Sequence, residues 1–286
     1  MDDMTHHAAD RATDPATRAA TLAFIGGGNM ASALIGGLVK SGTAPRDILV
    51  VEPVAEQRER LAKAFGVTAQ AAADARLASA GLVVWAVKPQ LFAQAAAPCA
   101  AYVKNALQLS VMAGVRASAI AAATRAQRIV RAMPNTPALI GRGIAGLVAT
   151  PQVSADERQR IERLLAPTGA VIWLDHEAQL DAVTAVSGSG PAYVFYVLEA
   201  MMQAATEMGL SAEQGRALAL ATFDGATALA AQSSLAPSEL RAQVTSKGGT
   251  THAAMTSLDQ DGVKAAFVKA LHAARVRAGE LGDEFG

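Results

Sequence analysis

The stretch Leu22 to Glu52, LAFIGGGNMASALIGGLVKSGTAPRDILVVE, constrains what this chain can fold into more than any other. Leu22-Ala23-Phe24-Ile25 is a short apolar run that ends in Gly26-Gly27-Gly28, and Met30 to Leu38 continues with helical periodicity. A buried strand therefore turns tightly into a helix, as at the start of a βαβ unit. A second apolar run, Ile48 to Val51, ends in Glu52, roughly 20 to 25 residues on, the separation a dinucleotide fingerprint asks for. That chemistry needs glycine at Gly26 for the turn and at Gly28 so that backbone can approach a pyrophosphate, and Ala31 takes the third position, where a small residue lets helix and strand pack closely. Asn29 and Met30 open the helix, whose first free N–H groups and positive dipole end then face the phosphates. A lone G-x-G-x-x-A also serves packing alone. The strand before it, the helix after it and the acidic residue at the end of the second strand are what point to a cofactor.

Further along, Ala55 to Phe65 reads as a charged helix closed by Gly66. Gly81 to Val87 is continuously apolar, as expected of a strand buried on both faces of a parallel sheet. It stops at Lys88-Pro89-Gln90, and Pro89 suits the first turn of a following helix. Leu107 to Met112 and Arg128 to Met133 read as further strands with Ser118 to Thr124 helical between them, and Met133-Pro134-Asn135-Thr136-Pro137 is a proline-pinned loop at a strand end. In an open parallel sheet ligands sit beyond the carboxyl ends of the strands, so the Gly26 turn, Lys88-Pro89 and the Asn135 loop are expected along one edge. Ile144 to Ala149 and Val171 to Leu174 are late strands around a helix from Ser154 to Leu165.

Past Asp175 the strand signal disappears. Ser187-Gly188-Ser189-Gly190-Pro191 breaks or kinks a helical region, and Pro191 opens an apolar helix that stops at Gly209. Ser211 and Gln214 fit a capping box for the next helix, to about Ala231. Pro237 to Gln243, Thr250 to Leu258 and Val263 to Leu281 are the remaining helices. The fold class is thus α/β, with a Rossmann-like dinucleotide-binding domain over residues 21–176 and an all-α domain over residues 177–286, after an extension of residues 1–20 read as mobile. Ala217 to Ala230 carries apolar residues on most faces, and a helix apolar all round must be buried. In so small a lobe a second copy of the chain is the simplest cover, so an obligate helical dimer is expected.

Composition narrows the classes. Lys plus Arg and Asp plus Glu are 25 each, so nothing favours nucleic acid or an anionic membrane as partner. The single cysteine, Cys99, permits no internal disulfide and no multi-cysteine zinc site, and His6-His7 is read as tail, so no metal is expected. No apolar run reaches the ~18 residues a membrane span needs, and no signal-peptide segment is seen at the start, so a cytoplasmic location is expected.

Val244 to His252, VTSKGGTTH, is the most polar run of the helical half and leads directly into a helix. Gly248 and Gly249 free the backbone, and the N–H groups of Gly249, Thr250 and Thr251 are expected to be unpaired and ready for a carboxylate. On these residues alone, an ordinary glycine-rich turn with a threonine cap is the plainer reading.

Phe24 to Ala31, Val87-Lys88-Pro89-Gln90, Met133 to Pro137, Ser187 to Tyr193 and Thr245 through Thr251 together closely resemble pyrroline-5-carboxylate reductases, in the family's order and over nearly all of the chain after residue 20. The resemblance implies reduction of Δ1-pyrroline-5-carboxylate to L-proline by NADPH or NADH, the last step of proline biosynthesis, in a homodimer assembled into a larger ring. It implies that Gly26 to Ala31 hold the cofactor pyrophosphate while Lys88, Pro89 and Asn135 lie along the cofactor towards the nicotinamide. It further implies that Gly248, Gly249 and Thr250 bind the substrate carboxylate, with Thr251 at the ring nitrogen, and that Ser189 and Gly190 begin a helix against this site. Lys88 as a solvated strand end, Asn135 as a turn former and Ser189 as a helix cap are the bland alternatives.

Two positions depart from the family pattern. Many relatives have proline where this chain has Lys247, and relatives that prefer NADPH carry a small polar residue or arginine where this chain has Glu52. A carboxylate there accepts from a ribose 2′-hydroxyl and repels a 2′-phosphate, so NADH is expected to be usable. The rival readings are a 3-hydroxyacid dehydrogenase, which needs a lysine acid/base that Lys247, Lys264 and Lys269 are poorly placed to supply, and a nucleotide-binding protein without turnover.

Overall fold

The computed structural model describes residues 21–285, so the extension and His6-His7 lie outside the described residues. An eight-stranded sheet runs in the order β3-β2-β1-β4-β5-β6-β7-β8. The strands are β1 (Thr21–Ile25), β2 (Ile48–Val51), β3 (Thr68–Gln70), β4 (Ala80–Trp85), β5 (Leu107–Ser110), β6 (Ile129–Met133), β7 (Gly143–Ala149) and β8 (Gly169–Trp173). The switch from β1 leftward to β2 and rightward to β4 is the doubly wound arrangement, and it opens a crevice above the carboxyl end of β1.

The helices of this half are α1 (Asn29–Lys40), α2 (Ala55–Phe65), α3 (Phe92–Ala96), α4 (Ala100–Val103), α5 (Ala117–Thr124) and α6 (Ala155–Leu165). They cover both faces, which is why β1 and β4 are apolar without alternation. One core gathers Phe24, Leu34, Ile35, Val50 and Leu109, and the other gathers Ile25, Trp85, Phe92, Val103 and Ile120 on the opposite face. Cys99 belongs to the second core, where burial pushes its thiol up to about 11. It packs as a small apolar residue.

Two features depart from the expected parallel sheet. β6 and β7 pair antiparallel, because the connection between them, a 3-10 turn over Thr136–Ile140, is too short to carry the chain back for a parallel crossover. β3 is an added edge strand whose three residues, Thr-Ala-Gln, carry no apolar run.

From Gln179 the chain is helical: α7 (Gln179–Val183), a π-turn over Thr184–Gly188, α8 (Gly190–Glu207), α9 (Ala212–Gln232), α10 (Pro237–Gln243), α11 (Thr250–Gln260) and α12 (Val263–Phe285). The capping box of α9 is made, with Ser211 Oγ accepting from Gln214 N and Gln214 Oε1 from Ser211 N. α8 and α9 form a hairpin, and α12 returns along α7 and the π-turn. Tyr193 of α8 meets Phe267 of α12 edge to face at 5.7 Å.

Charged groups join the halves. Glu177 Oε1 accepts from Ala117 N at 2.7 Å and from Arg131 Nη1 at 2.8 Å. Arg116 Nη2 reaches Asp283 Oδ1 at 2.8 Å near the end of α12. Within one copy the helical half leaves Phe195, Tyr196, Leu218, Leu229, Phe267 and Val276 exposed. Of the 21 residues of α9 only Gly215 and Ala219 are buried. No described helix is long and apolar enough to cross a membrane.

Candidate active site

The site begins at the carboxyl edge of the parallel strands. β1 ends in Gly26, whose φ of +96° belongs to the left-handed region, and a Cβ there would lie 2.6 Å from Ala86 O. Both reasons demand glycine. Gly26 N donates to Val51 O and Ala86 N to Ile25 O, each at 2.8 Å, so the turn is stitched to β2 and β4. Gly28 is exposed, and nothing lies within 4 Å of the Cβ it lacks. Ala31 is fully buried under the turn.

The first intrahelical bond of α1 runs from Ser32 N to Gly28 O at 2.8 Å, which leaves the N–H groups of Asn29, Met30 and Ala31 without helical partners. No side chain caps them and the first turn carries no acidic residue. The positive end of α1 is thus uncompensated and opens beside the exposed Gly28, which suits the pyrophosphate of a dinucleotide. Lys88 follows β4, with Pro89 at the start of a 3-10 turn, and Asn135 follows β6. β1, β4, β5 and β6 are mutually parallel, so all of these stand at one edge.

Asn135 also joins the halves. Its Oδ1 accepts from Ile144 N at 3.0 Å and its Nδ2 donates to Ser187 O at 3.2 Å. Gly188 lies against Met133, whose Cε would be 2.6 Å from an added Cβ. The entry to the helical half is therefore packed onto the edge that carries the Gly26 turn.

Three expectations need correction or extension. Ser189 is not a helix cap. Residues before it are already helical, its N–H donates to Thr184 O at 2.8 Å, and its side chain makes no capping bond. The π-turn keeps the chain helical through the serine-glycine stretch and bends it at the domain joint. At the second glycine stretch Gly249 N is also taken, donating to Ser246 O at 3.0 Å. The first bond of α11 is Ala253 N to Gly249 O at 3.1 Å, so the unpartnered donors are those of Thr250, Thr251 and His252, shifted one residue along the chain. Glu52 is 8% exposed, and its oxygens accept from Gly27 N at 2.8 Å and Val54 N at 2.9 Å. A carboxylate read as a ribose ligand is therefore also a structural tie.

The hydroxyl of Thr251 is distinctive for a physical reason. Threonines later in a helix turn back on the carbonyl four residues earlier, as Thr222 does to Leu218 O and Thr256 to His252 O, each at 2.8 Å. Thr251, in the first turn, has no helical carbonyl behind it, and its Oγ1 makes no hydrogen bond among the described residues. Gly248 has φ +76°, and Lys247 and Gly248 are exposed. Neither α10 nor α11 buries a residue within one copy. Sequence reading missed Ser32 and Gln57, which bond to the Gly27 carbonyl, while Arg58, on the helix after Glu52, donates to Glu52 O. Gln57 is 30 residues from its partner, and no spacing rule marks it.

Residues 177–281 match the family described as pyrroline-5-carboxylate reductase dimerisation, and residues 21–114 match that described as NADP oxidoreductase, coenzyme F420-dependent. The chain is 44% identical over 269 residues to the pyrroline-5-carboxylate reductase of Pseudomonas aeruginosa, covering 93% of this chain and 98% of that one. The chain belongs to the pyrroline-5-carboxylate reductase family. The structure of a family member from Coxiella burnetii, 36% identical, superimposes with a TM-score of 0.84 over 92% of this chain and 98% of that one. The pyrroline carboxylate reductase of Plasmodium falciparum with NADP bound is 25% identical and gives a TM-score of 0.82 over 92% of this chain and 98% of its own.

Proposed function

We propose that this chain reduces Δ1-pyrroline-5-carboxylate to L-proline with NAD(P)H, closing proline biosynthesis. The observation that carries the reading is a pair of glycine-led, uncapped helix N-termini, α1 and α11, one in each half. One suits a pyrophosphate and the other a small carboxylate.

Gly26, Gly28, Asn29, Met30 and Ala31 hold the cofactor phosphates, Glu52 faces its adenosine ribose, and Lys88, Pro89 and Asn135 run towards the nicotinamide. The bound nicotinamide supplies the hydride. The N–H groups of Thr250 and Thr251, with the free backbone of Gly248 and Gly249, fix the substrate carboxylate, and the Ser189 hydroxyl stands at the joint beside it. Thr251 Oγ1 meets the ring nitrogen. A cyclic imine is basic enough to be protonated near neutral pH, and its C=N carbon then accepts a hydride to leave a secondary amine. No strong acid is demanded, and a hydroxyl that orients the N–H is sufficient.

Residues 21–176 form the cofactor domain and residues 177–286 the substrate and dimerisation domain. The apolar faces of α8, α9 and α12 that one copy leaves open are covered by the same helices of a second copy, and such dimers assemble into a ring. A cytoplasmic setting agrees with one buried, unpaired cysteine. The test is spectrophotometric, following loss of NADH or NADPH on addition of the imine together with proline formed. Turnover with NADH is expected, and no oxidation of either cofactor would overturn the reading.

A further inference from the structure

Gly27 is the middle residue of the glycine run, and the fingerprint spacing assigns it nothing. It is nevertheless buried and held from several elements. Its N–H donates to Glu52 Oε2 at 2.8 Å, at the end of β2. Its carbonyl accepts from Gln57 Nε2 on α2 and, at 3.4 Å, from Ser32 Oγ on α1. The carboxylate that grips it is itself fixed, because its other oxygen accepts from Val54 N at 2.9 Å. Arg58 Nη1 donates to Glu52 O at 2.9 Å and Pro53 O at 2.7 Å, which locks the backbone below. Leu61 closes the remaining side, with Cδ1 2.6 Å from where a Cβ on Gly27 would stand.

We infer that Gln57 and Glu52 are positioning residues that hold Gly27 at its carbonyl and its N–H, and that Gln57 thereby sets the affinity for the cofactor's pyrophosphate whether or not the ribose carries a 2′-phosphate. The inference rests on the dinucleotide reading above. Three successive glycines have the widest backbone freedom available, so the N–H groups that follow are aimed only if something outside the turn fixes a peptide within it. Holding both polar ends of one residue does this. An unheld turn would bind the same phosphates after first ordering itself, which weakens affinity. Glu52 therefore does two things, tying the turn and placing a charge by the ribose, and a substitution there alters both. Gln57 is neutral, so changing it separates them.

The experiment titrates wild type, Gln57→Leu and Gln57→Lys with NADH, NADPH and ADP-ribose by calorimetry, and measures cofactor KM and kcat in turnover. For Gln57→Leu we expect affinity for all three ligands to fall by about ten-fold, the loss of one hydrogen bond to the turn. Cofactor KM rises with it while kcat holds. Gln57→Lys keeps a donor at similar reach and binds all three within about three-fold of wild type, or tighter. Unchanged binding in Gln57→Leu overturns the inference. A loss confined to NADH or to NADPH also overturns it, since that marks a ribose contact. If Gln57→Leu does not fold, Gln57→Ala, which also removes the donor, decides, and unchanged binding there overturns the inference, as does a ten-fold loss in Gln57→Lys. Failure of wild type to bind any of the three is a different result, because it removes the dinucleotide reading itself.

Discussion

The two glycine turns of this chain are built in opposite ways. Around Gly26 to Gly28 the backbone is stitched to β2 and β4, and Gly27 is gripped from α1, β2 and α2. Around Gly248 and Gly249 the support is local: Gly249 donates to Ser246 O, and Ser246 Oγ would stand 2.6 Å from a Cβ on Gly249. Nothing lies within 4 Å of a Cβ on Gly248. The Rossmann-like half thus preforms its glycine turn from its own sheet, while the helical half presents one whose surroundings a single copy does not supply. A parallel sheet can order a turn from strands distant in sequence. A splayed set of helices cannot do so until something packs against it.

The comparison breaks most visibly at the glycines. Gly26→Ala must resolve a contact with Ala86 O, a backbone atom just past the end of β4 that cannot move aside, at a φ that disfavours any side chain. It is expected to cost more than ~3 kcal/mol in urea unfolding and to abolish cofactor binding. Gly248→Ala meets only the φ penalty, about 1 kcal/mol. Equal costs at the two positions would show that the turns are held alike.

Dilution sharpens the same contrast. If α8, α9 and α12 are ordered by a second copy, the unfolding free energy falls by about 1.4 kcal/mol for each ten-fold decrease in chain concentration, as it must for an obligate dimer. A midpoint independent of concentration, read by circular dichroism, would mean that the helical half stands by itself.

The same division explains what could be read in the amino-acid sequence. In the nucleotide half the strands are continuous apolar runs and α2 closes on Gly66 in the left-handed region, so β1, β2, β4, β5 and β6 were legible to within a residue or two. β3 was not, because Thr-Ala-Gln at an edge gains its conformation from pairing with β2 and not from its own pattern. The antiparallel turn into β7 was hidden for a related reason: strand direction is a property of the connection, and the 3-10 turn after Asn135 has no helical period to mark it as short. In the helical half α9 was clear from its capping box and the end of α8 from Gly209. The π-turn was not, since the serines and glycines at 187–190 signal a break, whereas Asn135 and Met133 supply the tertiary contacts that keep the chain helical there. At the site, motif spacing found the donors of α1 but not Gln57, whose role depends on α2 folding back over the turn.

Thr251→Ala separates the halves functionally. Its hydroxyl makes no hydrogen bond among the described residues, and in the proposed reaction it meets the imine nitrogen, so kcat/KM for the imine is expected to fall about ten-fold with cofactor affinity unchanged. Calorimetric titration with NADH alongside the turnover assay checks both parts. An unchanged rate removes Thr251 from the reaction, and a matching loss of cofactor binding would mean that the two cradles are coupled more tightly than their separate supports imply.

The smallest effect is expected where the halves touch at the surface. Arg142 Nη1 lies 3.2 Å from Asp224 Oδ1 of α9, with both side chains about two-thirds exposed, at 69% and 68%. Water screens such a pair and the long side chains lose entropy in forming it, so Arg142→Ala should change stability by less than ~0.5 kcal/mol. The contrasting joint is Glu177, whose oxygen accepts from both Ala117 N and the buried Arg131, and whose removal leaves a cation without its partner. A shift at Arg142 well above that bound, measured by urea unfolding at fixed protein concentration, would mean that water is excluded from this ion pair in the assembled protein. The open face of α9 would then be covered as far as the loop between β6 and β7, and the second copy would reach the rim of the cofactor site.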